Sequence, residues 1–185
     1  MNPPPLPKWM PLKTWSLLPP HEKALQAAAA MIGVKESKKN SGLWIDLWLR
    51  FAGLWPGLAW CAAFVYWILV NSGFDKSLLP KVNPGSVYGW MTWAKEKNLI
   101  TANPKRGDLG FWCHRVKSGK GYSWQGHIFF LTEVRGLDLK TIEGNTNEAG
   151  SREGTVVARR NRRAEGDIQF ISLTSLVWHN RGGLE

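Results

Sequence analysis

The pattern of apolar and polar positions divides the chain into two parts that meet near Pro104. Before this point apolar residues recur with the helical period of about 3.6 residues, and after it they alternate as in strands. The predicted helices are 21–32, 43–51, 62–70 and 86–97, and the predicted strands are 109–114, 126–134, 139–143, 155–160 and 168–173. Helices followed by strands indicate an α+β fold, with N-terminal helices packed on a mostly antiparallel sheet of about five strands.

The most apolar stretch is LWPGLAWCAAFVYWILV, residues 54–70, and it contains one residue with reactive chemistry, Cys61. Pro56 and Gly57 predict a loop, and a buried helix begins close to Cys61. Backbone N–H groups without partners and the helix dipole stabilise a thiolate at such a helix N-terminus. The thiolate is the nucleophilic form of cysteine, so this position suits a catalytic cysteine.

Two other interpretations fit this stretch. Residues 51–70 form a run of twenty without a charge, which is long enough to cross a membrane. Because Pro56 and Gly57 divide the run, a buried core helix is favoured over a span. Cys61 could also be a structural cysteine, since free cysteine is among the most buried residue types.

Composition predicts a single domain after a proline-rich arm. Residues 1–20 contain seven of the eleven prolines and are expected to form an extended arm, leaving 21–185 as one domain and the protein as a monomer. No secretory signal is visible, because prolines occupy the place of its apolar segment. The protein is therefore expected to be made in the cytoplasm.

A net charge of +10 predicts an anionic partner. No nucleic-acid-binding motif is present, so nucleic acid is not expected. Anionic polymers of a cell wall or outer membrane remain as partners, and the run Arg159, Arg160, Arg162 and Arg163 could face them. A solvated strand edge is the alternative interpretation of that run.

Neither a disulfide framework nor a metal or cofactor site is predicted. Cys61 and Cys113 could form one bridge, but nothing in the sequence requires it. The cysteines and histidines lack the paired spacing of zinc ligands. Cys113 is expected in the core.

A cysteine nucleophile needs a base and a group that orients the base. His127 begins the strongest predicted strand, directly after Gly126, although an exposed strand-end histidine is the alternative. Glu143 and Asn145 are two residues apart, so on extended backbone both face the same side; an ordinary turn is the alternative there. We expect Glu143 to accept the Nδ1–H of His127, which leaves Nε2 for the sulfur, with Asn145 as a supporting group.

Four motifs in order carry a family resemblance: AWCAAFV, RGDLGFW, GHIFFLTEV and TIEGNTN. Over residues 21–173 the chain resembles the CHAP family of papain-like amidohydrolases and peptidases, relatives of the NlpC/P60 proteins. The resemblance implies a papain-like fold, with Cys61 as nucleophile, His127 as base, and Glu143 and Asn145 as orienting groups.

The resemblance also extends to the loop before the cysteine. Many members carry a similar loop there, so Glu36 and Asn40, together with Trp60, are expected to contact substrate. Some members bind calcium through an Asp-rich loop in this region, but this chain offers little beyond Asp46. No calcium is therefore predicted.

The implied activity is cleavage of an amide bond in bacterial peptidoglycan, either muramoyl–alanine or within the stem or cross-bridge peptide. A phage or prophage endolysin that reaches the periplasm or wall through a holin is the leading interpretation. The alternatives are a delivered antibacterial effector, a cytosolic amidase acting on a small conjugate, and a non-catalytic wall-binding module.

Overall fold

The computed structural model describes residues 17–116, 121–147 and 154–179. The predicted arm at 1–20 therefore lies mostly outside the described residues, and Pro20 already belongs to the first helix. The helices are α1 Pro20–Ala30, α2 Leu43–Phe51, α3 Cys61–Asn71, α4 Val87–Glu96 and α5 Leu173–His179. The strands are β1 Ile100–Thr101, β2 Leu109–Arg115, β3 Tyr122–Arg135, β4 Asp138–Thr146, β5 Val156–Arg163 and β6 Gln169–Ile171.

The strands form one antiparallel sheet in the order β1-β6-β2-β3-β4-β5. The four predicted helices and five predicted strands are confirmed, and the short strand β1 is added at one edge. The α+β class is therefore confirmed, with helices first and an antiparallel sheet after them.

Strand β3 begins earlier than the sequence pattern predicts. The predicted strand begins at residue 126, but Tyr122 already pairs with Arg115 on β2. The Tyr122 ring lies 5.1 Å from the Lys95 ammonium and 5.4 Å from the Arg115 guanidinium. These two cation–π contacts stabilise the early pairing, which polarity alone does not indicate.

Helix α3 occupies the centre of the molecule. Its residues 61–69 are all buried, which is the environment expected of a helix that is apolar on every side. Phe64 packs on Trp48 of α2 at a ring separation of 5.0 Å and on Phe130 of β3 at 6.2 Å. Among the residues that the structure describes, no helix is long and apolar enough to cross a membrane.

Asp108 links the turn before β2 to the helix at the C-terminal end of the described chain. Its side chain is buried and accepts hydrogen bonds from the backbone N–H groups of Lys105 at 2.8 Å and Leu173 at 2.9 Å. Leu173 begins α5, a helix that the sequence pattern did not predict; the strand expected at 168–173 ends at Ile171. Asp108 therefore fixes where β6 ends and α5 starts.

We predict that Asp108→Ala lowers the free energy of unfolding by about 3 kcal/mol, because two backbone N–H groups lose a charged acceptor. Urea denaturation measures the change. Asp138→Ala serves as the control, since Asp138 is an exposed carboxylate that pairs with Arg163 at the surface. Equal stabilities for the two variants would contradict the role given to Asp108.

Candidate active site

Neighbouring strands bring His127 and Glu143 together. His127 lies on β3 and Glu143 on β4, both side chains are fully buried, and Nε2 of His127 lies 2.9 Å from Oε2 of Glu143. The sequence-based expectation used the other ring nitrogen and was wrong on this point. Nδ1 has no hydrogen-bond partner among the described residues, so it is the atom that remains for the neighbouring Cys61 thiol.

Nε2 rather than Nδ1 of His127 pairs with Glu143, because Glu143 and Cys61 approach the imidazole ring from different sides. Glu143 extends from the adjacent strand to the far nitrogen, Nε2. Cys61 approaches from the start of α3 and interacts with the same ring. Nδ1, the nitrogen nearer the backbone, is left for it.

The opposite charges of His127 and Glu143 stabilise each other. Burial lowers the pKa of His127, but interactions with Cys61 and Glu143 outweigh it and raise that pKa to about 9. Burial raises the pKa of Glu143, but His127 and Arg162 outweigh it and hold that pKa at about 2. These shifts favour the imidazolium and the carboxylate at neutral pH.

Cys61 is the first residue of α3, as the sequence indicated. The side chain of Trp60, at the N-cap position, makes no capping hydrogen bond to this turn. The first N–H groups of a helix have no partner within it, so those of α3 are available to an anion. Cys61 lines a cleft of about 390 Å³, whose other walls come from the loop before α3, the start of α4 and the start of β3: Leu54, Leu58, Ala59, Asn83, Gly85, Ser86, Val87, Gln125 and Gly126.

Gly126 allows β3 to approach its neighbours directly before His127. A Cβ at this position would lie 2.3 Å from the Trp112 carbonyl oxygen and 3.1 Å from a methyl group of Val87. Any other residue would push β3 away from β2 and displace His127. The glycine that precedes the histidine is therefore required by packing.

The loop before Cys61 is held by Glu36. One carboxylate oxygen of Glu36 accepts the indole N–H of Trp60 at 2.8 Å, and the other accepts the backbone N–H of Asn40 at 2.8 Å. Asn40 in turn exchanges backbone and side-chain hydrogen bonds with Gly57. The Trp60 ring is fully buried, so any effect it has on substrate passes through the loop it supports. The expected substrate contact by Trp60 is not supported, because its side chain has no exposed surface, whereas substrate contact by Glu36 and Asn40 stays a prediction.

Asn145 comes directly after Gly144, the residue of β4 that packs against the start of α3. A Cβ at Gly144 would lie 2.7 Å from the Trp60 ring and 2.9 Å from the Phe64 ring, so β4 passes close to the start of α3. Asn145 is fully buried with φ of +57°, and its amide has no hydrogen-bond partner among the described residues. A buried amide of this kind can bind a polar group or water.

Two residues at this site were missed by the sequence reasoning. Thr141 donates its hydroxyl to Oε1 of Glu143 at 2.6 Å. Arg162 donates from Nε to Oε1 at 2.5 Å and from Nη2 to Oε2 at 2.6 Å. Arg162 had been assigned only to a basic surface, but its guanidinium is directed at Glu143. Thr141 and Glu143 alternate along one strand face, and that signal was available in the sequence.

A family model described as CHAP domain matches residues 53–145, about half of the chain. This protein belongs to the CHAP family. The matched segment runs from the loop before α3 to the end of β4 and so includes Cys61, His127 and Glu143. CHAP proteins are a family of hydrolases, amidases and peptidases.

The remaining comparisons add little to the CHAP assignment. The crystal structure of Ly7917 is similar to this chain with a TM-score of 0.43 and 16% sequence identity. The similarity covers 82% of this chain and 62% of that one, so this chain spans less than two thirds of the other protein's length. The comparison with curated proteins gave no match.

In the described part of this CHAP domain, the cysteines, histidines and acidic residues are not grouped as metal ligands. Within the described residues, no group of three histidine, cysteine, aspartate or glutamate side chains is placed to hold a metal ion. Cys61 and Cys113 are both free thiols. Cys113 is buried, as expected, and burial is the main cause that raises its pKa to about 11, so it stays protonated at neutral pH.

We predict that Glu143→Gln lowers the pKa of His127 by about one unit or more, because the imidazolium loses its anionic neighbour. The variant keeps the shape of the side chain and removes only its charge. NMR titration of the His127 imidazole nitrogens measures the shift directly.

Asn145→Ala is the comparison, since a neutral amide contributes no charge and its loss should leave the His127 titration in place. An unmoved titration in Glu143→Gln together with a shifted one in Asn145→Ala would reverse the two assignments.

Proposed function

We propose that this CHAP protein is a cysteine amidohydrolase that cleaves an amide bond of bacterial peptidoglycan. The observation that carries the proposal is the fully buried His127, 2.9 Å from Glu143 and beside Cys61, at a helix N-terminus that opens into a cleft. A cysteine that served only packing would need neither the buried histidine–glutamate pair nor the cleft.

In the proposed mechanism the Cys61 thiolate attacks the carbonyl carbon of the scissile amide. Backbone N–H groups at the start of α3 stabilise the tetrahedral oxyanion, beginning with that of Cys61 itself. His127 donates its proton to the leaving amine, which leaves a thioester on Cys61. His127 then accepts a proton from water, and the hydroxide hydrolyses the thioester. Throughout the cycle Glu143 holds the imidazole ring and stabilises its charged form.

Peptidoglycan is proposed as substrate on the basis of family and charge. The chain carries a net charge of +10, which favours association with anionic wall polymers. The arginine run contributes less to that surface than its sequence indicates. Arg162 is directed at Glu143, and Arg163 pairs with Asp138 and Glu165, so Arg159 and Arg160 are its remaining cations.

We further propose that the enzyme acts from the periplasmic or wall side of the membrane, as a phage lysin released through a holin does. The chemistry supports this because the substrate lies only there. An antibacterial effector delivered to the same compartment would use the same site.

We predict that Cys61→Ala abolishes the clearing of purified cell walls, because the nucleophile is lost. Cys113→Ala is the matched control, since Cys113 is a second buried thiol, paired in register with Gly126, that stays protonated. Zymography and turbidity loss measure activity, and circular dichroism checks folding.

Two reagents extend this comparison. A thiol alkylator should remove activity, whereas EDTA should leave it, because the proposed mechanism uses no metal. Clearing by Cys61→Ala at a rate comparable to wild type would sink the proposal, and loss on chelation that calcium restores would show a missing metal site.

A second prediction concerns the compartment. Expression in the bacterial cytoplasm should leave cells intact, while the same chain fused to an export signal should lyse them, since peptidoglycan is met only after export. Optical density after induction measures lysis, and the Cys61→Ala variant of the exported protein is the control. Toxicity without export would favour the cytosolic amidase instead.

A further inference from the structure

Glu143 makes more hydrogen bonds than orientation of a histidine requires. Oε1 accepts from the Thr141 hydroxyl at 2.6 Å and from Nε of Arg162 at 2.5 Å. Oε2 accepts from Nη2 of Arg162 at 2.6 Å and lies 2.9 Å from Nε2 of His127. The guanidinium therefore hydrogen-bonds both carboxylate oxygens in a bidentate fork, the geometry that fixes the plane of a carboxylate.

Arg162 reaches this position from the edge strand of the sheet. It lies opposite Leu139 in the β4–β5 register, whereas Glu143 lies opposite Ala158, so the arginine side chain extends along the sheet face. Its guanidinium carbon lies 4.8 Å from the centre of the Trp112 ring and 5.3 Å from that of Phe129. Only 15% of its side-chain surface is exposed.

The same aromatic ring contacts the imidazole. Trp112 lies 5.0 Å from the His127 ring, so it packs against both cationic partners of Glu143. A guanidinium confined between an aromatic ring and a buried carboxylate has little freedom to move. The carboxylate that it hydrogen-bonds is therefore held in place as well.

We propose that Arg162 is a positioning residue for the reaction, which holds Glu143 ionised and aimed at His127. A buried carboxylate with one histidine partner could rotate away from Nε2 or take up a proton. The fork prevents the rotation through its two bonds and disfavours protonation through its charge. This inference rests on the proposed roles of Cys61 and His127.

The charged groups around Glu143 define what a test must separate. His127 on β3 and Arg162 on β5 are its direct partners, and Cys61 on α3 lies beyond His127. Arg160 precedes Arg162 by two residues on β5, so its side chain leaves the strand on the same face. It donates to the backbone carbonyl of Arg159 at 2.9 Å and makes no hydrogen bond to Glu143. Arg160→Gln is therefore a matched control for Arg162→Gln.

The test follows the rate of Cys61 alkylation by iodoacetamide as a function of pH, which needs no wall substrate. Without Arg162, burial raises the pKa of Glu143, and the carboxylate takes up a proton as the pH falls. We expect Arg162→Gln to react about tenfold more slowly than wild type near pH 5 and within about twofold of it near pH 8.

Arg162→Lys keeps the charge without the fork and should fall between these profiles, which keeps the test decisive where Arg162→Gln folds poorly. Wild-type and Arg160→Gln profiles should coincide. Coincidence of all four profiles would overturn the inference and leave the proposed function intact. A wild-type Cys61 that reacts no faster than a free thiol would instead overturn the proposed function. Wall clearing by the same variants should follow the alkylation rates.

Discussion

The burial of one carboxylate is the constraint on which the candidate site depends. Glu143 has no exposed surface, so its charge can persist only where protein groups replace water. Three residues supply those groups. His127 lies on β3, Arg162 on β5, and Thr141 on β4, the strand that also carries Glu143. The register of β3, β4 and β5 is therefore a condition for the chemistry as well as for the fold. A shift of one residue in any of these strands would leave a buried charge without its partners.

The cysteine is positioned by a separate set of contacts. Helix α3 is clamped between α2 and the sheet, and its first turn projects Cys61 toward the histidine. The loop that leads into it is tied to the 36–40 segment through the carboxylate of Glu36 and the indole of Trp60. Cys61 and His127 thus belong to different parts of the chain, and the fold brings them together only when α3 packs against β3 and β4. In the proposed mechanism, this arrangement places the nucleophile at the start of an apolar, buried helix.

Among the described residues, sequence patterns were sufficient to predict helices α1 to α4 and strands β2 to β6, because each rests on local periodicity, but they did not predict β1 or α5. They also singled out Cys61, His127 and Glu143, each as a residue type at a helix start, beside a glycine or on a strand face. These patterns did not predict contacts between side chains that are not directly opposite each other in the strand register. The choice between Nδ1 and Nε2 depends on the direction from which Glu143 and Cys61 approach the ring. Arg162 lies opposite Leu139, four residues from Glu143 along β4, and only its length and its stacking on Trp112 bring it to the carboxylate.

The most direct test of the account is to capture the covalent intermediate. A defined muropeptide is mixed with the enzyme, the reaction is quenched in acid within the first turnover, and the digested protein is mapped by mass spectrometry. The account predicts an acyl group on the peptide that contains Cys61 and no adduct on Cys113. The mass of that acyl group identifies the bond that was cut. Consumption of the muropeptide with Cys61 unmodified at every quench time would contradict it.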